Sequence, residues 1–520
     1  MKKYPIGIQT FAKIREEGYV YVDKTGYVGR LVEAQGYYFL SRPRRFGKSL
    51  LLSTIESYYE GRKDLFEGLE IEKMNLPWEP APVIHLDFNS KNYKDEQSLA
   101  DLLGFYLAPY EEKYGIDRRD ADVDERFFKV VIEAYKASGR KVVVLVDEYD
   151  KPLLSAIDNE ELQEKYRAIL KGVFGVLKSA DRYIQFVMLT GVTRFGKVSV
   201  FSDLNNLRDL SMESAFDSIC GVTEEELHHY FDEGVAELAS TTRITVEDAY
   251  GELKYNYDGY HFSEALKDIY NPYSLMNALA KRKISNYWFE TGTPTFLYTL
   301  LQNENYDLSK LEGDIEYDPT QLISVMVSDR DAVPLLYQSG YLTIKRTDDF
   351  FGTVFLGYPN HEVEDSFLRG LLPAYSQSTS GASLAFINNF VRDAMNGRID
   401  AFMTSLQSML AHIPVHSHDD RVLELHYHNM MYLIAQIVGL KVHTQYQTSN
   451  GRIDLVIETP RYVYVMEFKV GETAKDAIRQ IEERQYGLPF KAEGRDVYLI
   501  GASFSNRTRT LSDWIISKLN

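Results

Sequence analysis

As far as about Asp209 the chain alternates short apolar runs with longer stretches of helical spacing. GYYFL, KVVVLVD and IQFVMLTG read as strands. Continuous apolar runs of this kind suit a parallel sheet covered on both faces, so this part reads as α/β. From about Met212 the pattern turns helical. TEEELHHYFDEGVAELAS opens on Thr223 and three glutamates, which suit a helix N-terminus. Around LLYQSGYLTIKRTDDFFGTVFLGYPNHEV a short helix precedes two strands joined by a polar turn, and YSQSTSGAS reads as a flexible break. Further on, RVLELHYHNMMYLIAQIVGL has helical spacing, NGRIDLVIETPRYVYVMEFKV reads as a hairpin of two apolar strands, and AKDAIRQIEERQY reads as a helix.

Composition bounds this picture. At 520 residues with 44% hydrophobic content the chain can form two to four domains with real cores. A single cysteine, Cys220, excludes an internal disulfide framework and fits a reducing cytoplasm. MKKYPIGIQTFAK lacks an apolar signal core and no run approaches a membrane helix, so a soluble cytoplasmic protein with no membrane partner is expected. The formal charge of −18 opposes non-specific approach to a phosphate backbone. From Arg421 to Asn520, however, 13 Lys and Arg face 11 Asp and Glu, a balance of +2 that leaves −20 on the rest.

The charged residues of the hairpin are the most informative. Asp454 lies on its first strand, Glu467 and Lys469 on its second, where side chains two apart share a face. Two carboxylates and a lysine on a sheet of Val, Ile, Tyr and Phe are costly to bury unless they neutralise one another or hold a cation. A hard divalent ion, Mg²⁺ with Mn²⁺ as the alternative, between Asp454 and Glu467 would do so. Lys469 would then orient or help deprotonate a water attacking a phosphodiester. The pattern D, a turn, E, one residue, K resembles the PD-(D/E)XK nuclease superfamily. That resemblance implies a metal-approaching acid on the preceding helix, for which Glu424 stands one turn from His428, and assigns Gln480 and Tyr486 to the Q and Y of the following helix.

A second constellation lies in GYYFLSRPRRFGKSLLLSTIESYY, read as strand, loop and helix. Backbone N–H groups at the helix start, with Arg45, Gly47, Lys48 and the Ser49 hydroxyl, would cradle nucleotide phosphates and bind Mg²⁺, as in a P-loop. Arg42 stands where the usual first glycine belongs and Pro43 follows it, with no N–H to offer. KVVVLVDEYDKP ends its apolar run in Asp147 and Glu148, a Walker B pattern in which Asp147 binds Mg²⁺ through water and Glu148 polarises the attacking water. On the third strand Thr190 and Thr193 are candidates to sense the γ-phosphate. Arg194 is a candidate phosphate contact in cis or in a neighbouring subunit, with an ordinary ion-paired arginine as the alternative.

With YPIGIQTFAKIREEGYVYVDKTGYVGRLVE, LTGVTRFGKVSVFSDLNNL, YNYDGYHF, IYNPYSL, YWFETG and LLYQSGYL added, nearly the whole chain resembles the predicted AAA-ATPase family, whose members commonly end in a PD-(D/E)XK domain. The expected architecture is an AAA-like P-loop core over residues 1–211, a helical lid over 212–285, a winged-helix-like region over 286–375, a helical linker over 376–420 and an α/β nuclease-like domain over 421–520. HIPVHSHDD, with three histidines and two aspartates, reads as a solvated linker and YNYDGYHF as a tyrosine-rich corner. The expected activity is ATP hydrolysis coupled to metal-dependent cleavage of nucleic acid, DNA ahead of RNA, in a homo-oligomer. The alternative is a nucleotide-dependent switch or scaffold whose C-terminal domain binds nucleic acid or a protein without cutting.

Overall fold

A computed structural model describes residues 3–117, 121–194, 200–201, 204–289, 295–303, 305–312, 315–322, 331–376, 389–410, 425, 429–430, 432–433, 436, 441–505 and 511–519. Glu424, His428 and the histidines of HIPVHSHDD lie outside the described residues. The chain divides into two compact units, one of Met1–Thr291 with Ile315–Val363, the other of Gly292–Asp314 with Glu364–Asn520.

The first unit is built on five strands: β1 (Gly36–Ser41), β2 (Val83–Asp87), β3 (Val142–Asp147), β4 (Ile184–Gly191) and β5 (Leu207–Asp209). They pair in the order β2-β3-β4-β1-β5, every pair parallel. Every residue of β3 is buried, as its unbroken apolar run requires. Helices Lys48–Tyr59, Gln97–Tyr114, Val123–Ser138 and Glu160–Ser179 connect the strands. Because β4 lies between β1 and β3, the carboxyl ends of the three apolar runs meet at one edge, where parallel sheets place their sites.

Helices Glu224–Thr242, Val246–Tyr257 and Pro272–Lys281 follow in the same unit. Thr223 and Glu226 form a reciprocal capping box at the first of them, and Thr245 with Asp248 forms another at the second. Leu227, Phe231, Val235, Leu253 and Leu275 pack together in a core shared by the three helices. Lys24 is buried and donates to both oxygens of Glu226, at 2.6 and 2.7 Å, so the capping glutamate also pins the N-terminal segment to the helices. Strands β6 (Ile315–Tyr317), β7 (Thr343–Asp348) and β8 (Thr353–Gly357) form an antiparallel sheet in the order β6-β8-β7, and helix Ala332–Gln338 precedes β7.

The second unit centres on a mixed sheet of β9 (Lys441–Thr448), β10 (Gly451–Glu458), β11 (Tyr462–Val470), β12 (Asp496–Phe504) and β13 (Leu511–Lys518), in the order β13-β12-β11-β10-β9. Only β11 and β12 are parallel, and helix Ala474–Glu483 makes the crossover between them. Its apolar face, Ala477, Ile478 and Ile481, is buried, with Ile478 and Ile481 in one core with Val463, Val465, Val497 and Leu499. The helix approaches β12 so closely at Gly501 that a Cβ there would lie 2.4 Å from the Ile478 nitrogen and 2.6 Å from the Ala474 oxygen. Among the described residues no helix is long and apolar enough to cross a membrane.

Gly501→Ala must therefore push the crossover helix off the sheet. It is expected to destabilise this unit by about 1–3 kcal/mol, read as a lower urea midpoint in the fluorescence of Trp514 on β13 after Trp78 and Trp288 are changed to Phe.

Candidate nucleotide and phosphodiester sites

At the end of β1 the chain makes a tight loop and re-enters as helix Lys48–Tyr59. Gly47, the N-cap, has φ +102°, which only glycine adopts freely, and Arg45 is left-handed at φ +69°. Lys48 is buried with its side chain turned into the loop. Its Nζ donates to the carbonyls of Arg42 at 2.9 Å and Pro43 at 3.2 Å and lies 4.0 Å from Glu148 Oε1. Residues 44–49 and Glu148 line a cavity of about 350 Å³, whose other walls include Ile8, Val22, Tyr273 and Met276. Ser49 faces this cavity, and the exposed Arg45 sets its guanidinium 4.9 Å from the Tyr273 ring centroid.

The loop is braced from outside. Arg42, fully buried, donates to the carbonyls of Ser41, Ser211 and Phe216 and lies 4.0 Å over the Phe262 ring. Where the usual phosphate-loop pattern has its first glycine there is thus a buried arginine that ties the loop to residues 211–216. Trp288 Nε1 donates to the Arg44 carbonyl at 3.0 Å, and Gly340 leaves room for Pro43, which a Cβ would meet at 2.6 Å.

Strands β3 and β4 are joined through buried carboxylates. Asp147 Oδ1 accepts from Thr190 Oγ1 at 2.6 Å. Asp150 Oδ2 accepts from Val192 N, Thr193 N and Thr193 Oγ1 at 3.0, 2.6 and 2.7 Å. Asp150 is wholly buried, and burial with the neighbouring Glu148 charge pushes its carboxyl up to about 6. Glu148 itself is left-handed at φ +51°. In register with Asp147 across the β2–β3 ladder stands Asp87, raised first by burial and then by Asp147 and Glu148. Neither Asp150 nor Asp87 was singled out in the sequence. Asp150 shares the DEYD stretch with the two residues that were, so spacing alone could have nominated it.

Thr190 and Thr193 are thus brought to the turn of Asp147–Asp150. Arg194 is not brought to the phosphate loop. Its guanidinium is paired with Asp209 and lies 5.7 Å over Phe39, its backbone N–H donates to Gln338 at 2.7 Å, and it lines a separate small cavity with Arg42 and His261.

In the second unit the β10–β11 ladder runs from Glu458 and Val463 to Leu455 and Met466. At the next position the Asp454 carboxylate takes over, accepting from Phe468 N at 2.8 Å. This puts Asp454 beside Glu467, on the face where Val465 meets the crossover helix. Glu467 is buried. Its Oε1 accepts from Gln480 Nε2 and lies 3.3 Å from Lys469 Nζ, whereas its Oε2 is buried with no hydrogen-bond partner among the described residues. Burial, then the Asp454 charge, pushes the Glu467 carboxyl up to about 7. A buried acceptor without a donor next to a second carboxylate fits a hard cation, for which Asp454 and Glu467 are the donors. Tyr486 packs into the core below, its hydroxyl 2.7 Å from where a Cβ on Gly451 would stand. Asp454, Glu467, Lys469 and Gln480 therefore meet in one place; Glu424 lies outside the described residues.

Residues 5–201 match the family described as predicted AAA-ATPase, and residues 422–514 match the PD-(D/E)XK nuclease superfamily. Along its full length the chain is similar to an uncharacterized protein in the vnfD 5′ region of Azotobacter chroococcum mcd 1, 35% identical over all of this chain and 99% of that one. A solved structure of the Aeropyrum pernix ORC2 protein, in ADPNP–ADP complexes, covers 67% of this chain and 92% of its own at 12% identity and a TM-score of 0.23, a likeness too slight to bear on fold or function. The chain belongs to the predicted AAA-ATPase family and carries a C-terminal domain of the PD-(D/E)XK nuclease superfamily.

The raised Asp150 carboxyl has a measurable consequence. With a folded pKa of about 6 against an unfolded value near 3.9, its contribution to stability is complete below pH ~4 and is lost as the pH rises through ~6. Relative to Asp150→Asn, the wild type should lose on the order of 2–3 kcal/mol between pH 4 and pH 7 in urea titrations.

Proposed function

We propose that the chain binds and hydrolyses ATP at the loop of residues 44–49 and cuts nucleic-acid phosphodiesters at Asp454, Glu467 and Lys469, with the nucleotide state gating access to nucleic acid. The observation that carries the first half is the meeting of Lys48 and Glu148 on one cavity, behind a left-handed glycine and at the start of a helix. In this reading Arg45, Lys48 and the loop N–H groups hold the phosphates. Ser49 and Asp147 would hold the accompanying Mg²⁺, and Glu148 would polarise the attacking water. The base would rest among Ile8, Val22 and Met276, and the helices after residue 212 would serve as a lid, since Met276 and Tyr273 stand on the cavity wall. Thr190 and Thr193 report the γ-phosphate through the carboxylates they bind. A phosphate contact by Arg194, in cis or across a homo-oligomer interface, requires its pair with Asp209 to open.

The orphaned Glu467 oxygen supports the second half. Mg²⁺ or Mn²⁺ held by Asp454 and Glu467 would supply Lewis acidity toward a phosphate oxygen and lower the pKa of a bound water. Gln480 holds Glu467 by its Oε1, which leaves Oε2 for the cation, and Lys469 keeps its ammonium at the same carboxylate to orient the attacking water. The net charge of −18, only slightly reversed over residues 421–520, supports a second reading in which the protein is a nucleotide-driven switch whose C-terminal domain binds without cutting.

Two assays separate these readings. Lys48→Ala should abolish ATP binding, and Glu148→Gln should keep binding while lowering kcat by about 10²-fold or more. On labelled DNA and RNA with Mg²⁺ or Mn²⁺, wild-type cleavage should vanish in Asp454→Ala and fall at least ~10²-fold in Lys469→Ala. Binding without cleavage in every condition would favour the switch.

A further inference from the structure

Glu148 is the residue on which hydrolysis turns, yet it sits in a backbone conformation that costs a glutamate free energy, at φ +51°. Something must hold it there. On one side Asp147 ends β3 and is bonded to Thr190. On the other, Tyr149 N donates to the Thr190 carbonyl at 3.0 Å, and the Tyr149 ring is packed among Phe39, Phe174 and Phe201 at centroid distances of 5.6, 6.2 and 4.8 Å. Lys151 N closes the turn onto the Glu148 carbonyl at 3.0 Å.

The third anchor is Asp150. One carboxylate oxygen collects Val192 N, Thr193 N and the Thr193 hydroxyl. The other is buried without a hydrogen-bond partner among the described residues, in space that exists because residue 191 is glycine: a Cβ there would lie 2.8 Å from Asp150 Oδ1 and 2.9 Å from the Tyr149 ring. Asp150 lines neither described cavity and is 1% exposed, so it can act on the contents of the Glu148 cavity only through its neighbours. The strand end that carries both sensor threonines is thereby clamped to the turn that carries Glu148.

We propose that Asp150 is a positioning residue for ATP hydrolysis, holding Glu148 in its left-handed conformation facing the nucleotide cavity by binding the end of β4. The inference rests on the ATPase reading above and assigns the coupling between the end of β4 and Glu148 to one buried carboxylate and the donors of Val192 and Thr193. A residue that acts only through Glu148 must be silent once Glu148 has lost its function.

The test is a double-mutant cycle on the full chain, with kcat and KM for ATP measured alongside binding of a non-hydrolysable ATP analogue. Asp150→Ala should lower kcat about 10-fold or more with analogue affinity held within about threefold. Asp150→Asn, which keeps an acceptor for the same donors, should recover most of that loss. In the Glu148→Gln background Asp150→Ala should cost nothing further. If Asp150→Ala does not fold, Thr193→Val, which removes the hydroxyl donor, should lower kcat about threefold or more in the wild type and leave Glu148→Gln unchanged. A loss of kcat of equal size in both backgrounds, or a loss confined to affinity, overturns the inference. A wild type that hydrolyses no ATP overturns the ATPase reading itself, and this inference with it.

Discussion

A carboxylate taken out of water must be given donors or a cation, and both candidate sites of this protein are arranged around that requirement. At the edge of the parallel sheet, Asp147 and Asp150 end up buried because β3 is an unbroken apolar strand covered on both faces. Threonines and backbone N–H groups at the end of β4 answer them. In the C-terminal unit Asp454 and Glu467 are buried side by side, and the answer is incomplete: an amide and an ammonium on one oxygen of Glu467, nothing among the described residues on the other. Bonds from β4 to both carboxylates make the first pair a frame for the Glu148 turn, with Asp150 Oδ1 alone left without a hydrogen-bond partner among the described residues. In the second pair the bare Glu467 oxygen lies beside the Asp454 charge, an arrangement that suits a cation.

The strand order gives the first frame its reach. Inserting β4 between β1 and β3 lets one strand end touch the loop of residues 42–49 through the bond from Arg42 N to Gly191 O, at 3.2 Å, and the turn of Asp147–Asp150 through Asp150. Arg42 then carries the connection on to residues 211–216. A loop that lacks the usual first glycine is thus held by a buried arginine, and its geometry depends on segments far away in sequence.

Much of this was legible in the sequence because it is local. The strand, loop and helix around Lys48, the apolar run ending at Asp147 and Glu148, the Thr223 helix start and the hairpin carrying Asp454, Glu467 and Lys469 each follow from spacing within a few turns of chain. Gln480 was assigned by resemblance, and the crossover helix brings it to Glu467. What could not be read were pairings set by the sheet. Nothing in the order of residues says that β5 lies beside β1 and carries Asp209 to Arg194, or that Asp150 reaches Thr193, 43 positions on, across the gap left by Gly191. Arg42 was noticed as a departure from a pattern. That it fills a buried slot beneath Phe262 needed the fold.

The claim that the C-terminal carboxylates form a receptor for a cation is tested most directly by titrating Mn²⁺ into the full chain without nucleotide and following free Mn²⁺ by electron paramagnetic resonance. The account predicts saturable binding that disappears in Asp454→Ala and survives in Lys48→Ala. Binding that is absent from the wild type, or that persists unchanged in Asp454→Ala, would contradict it.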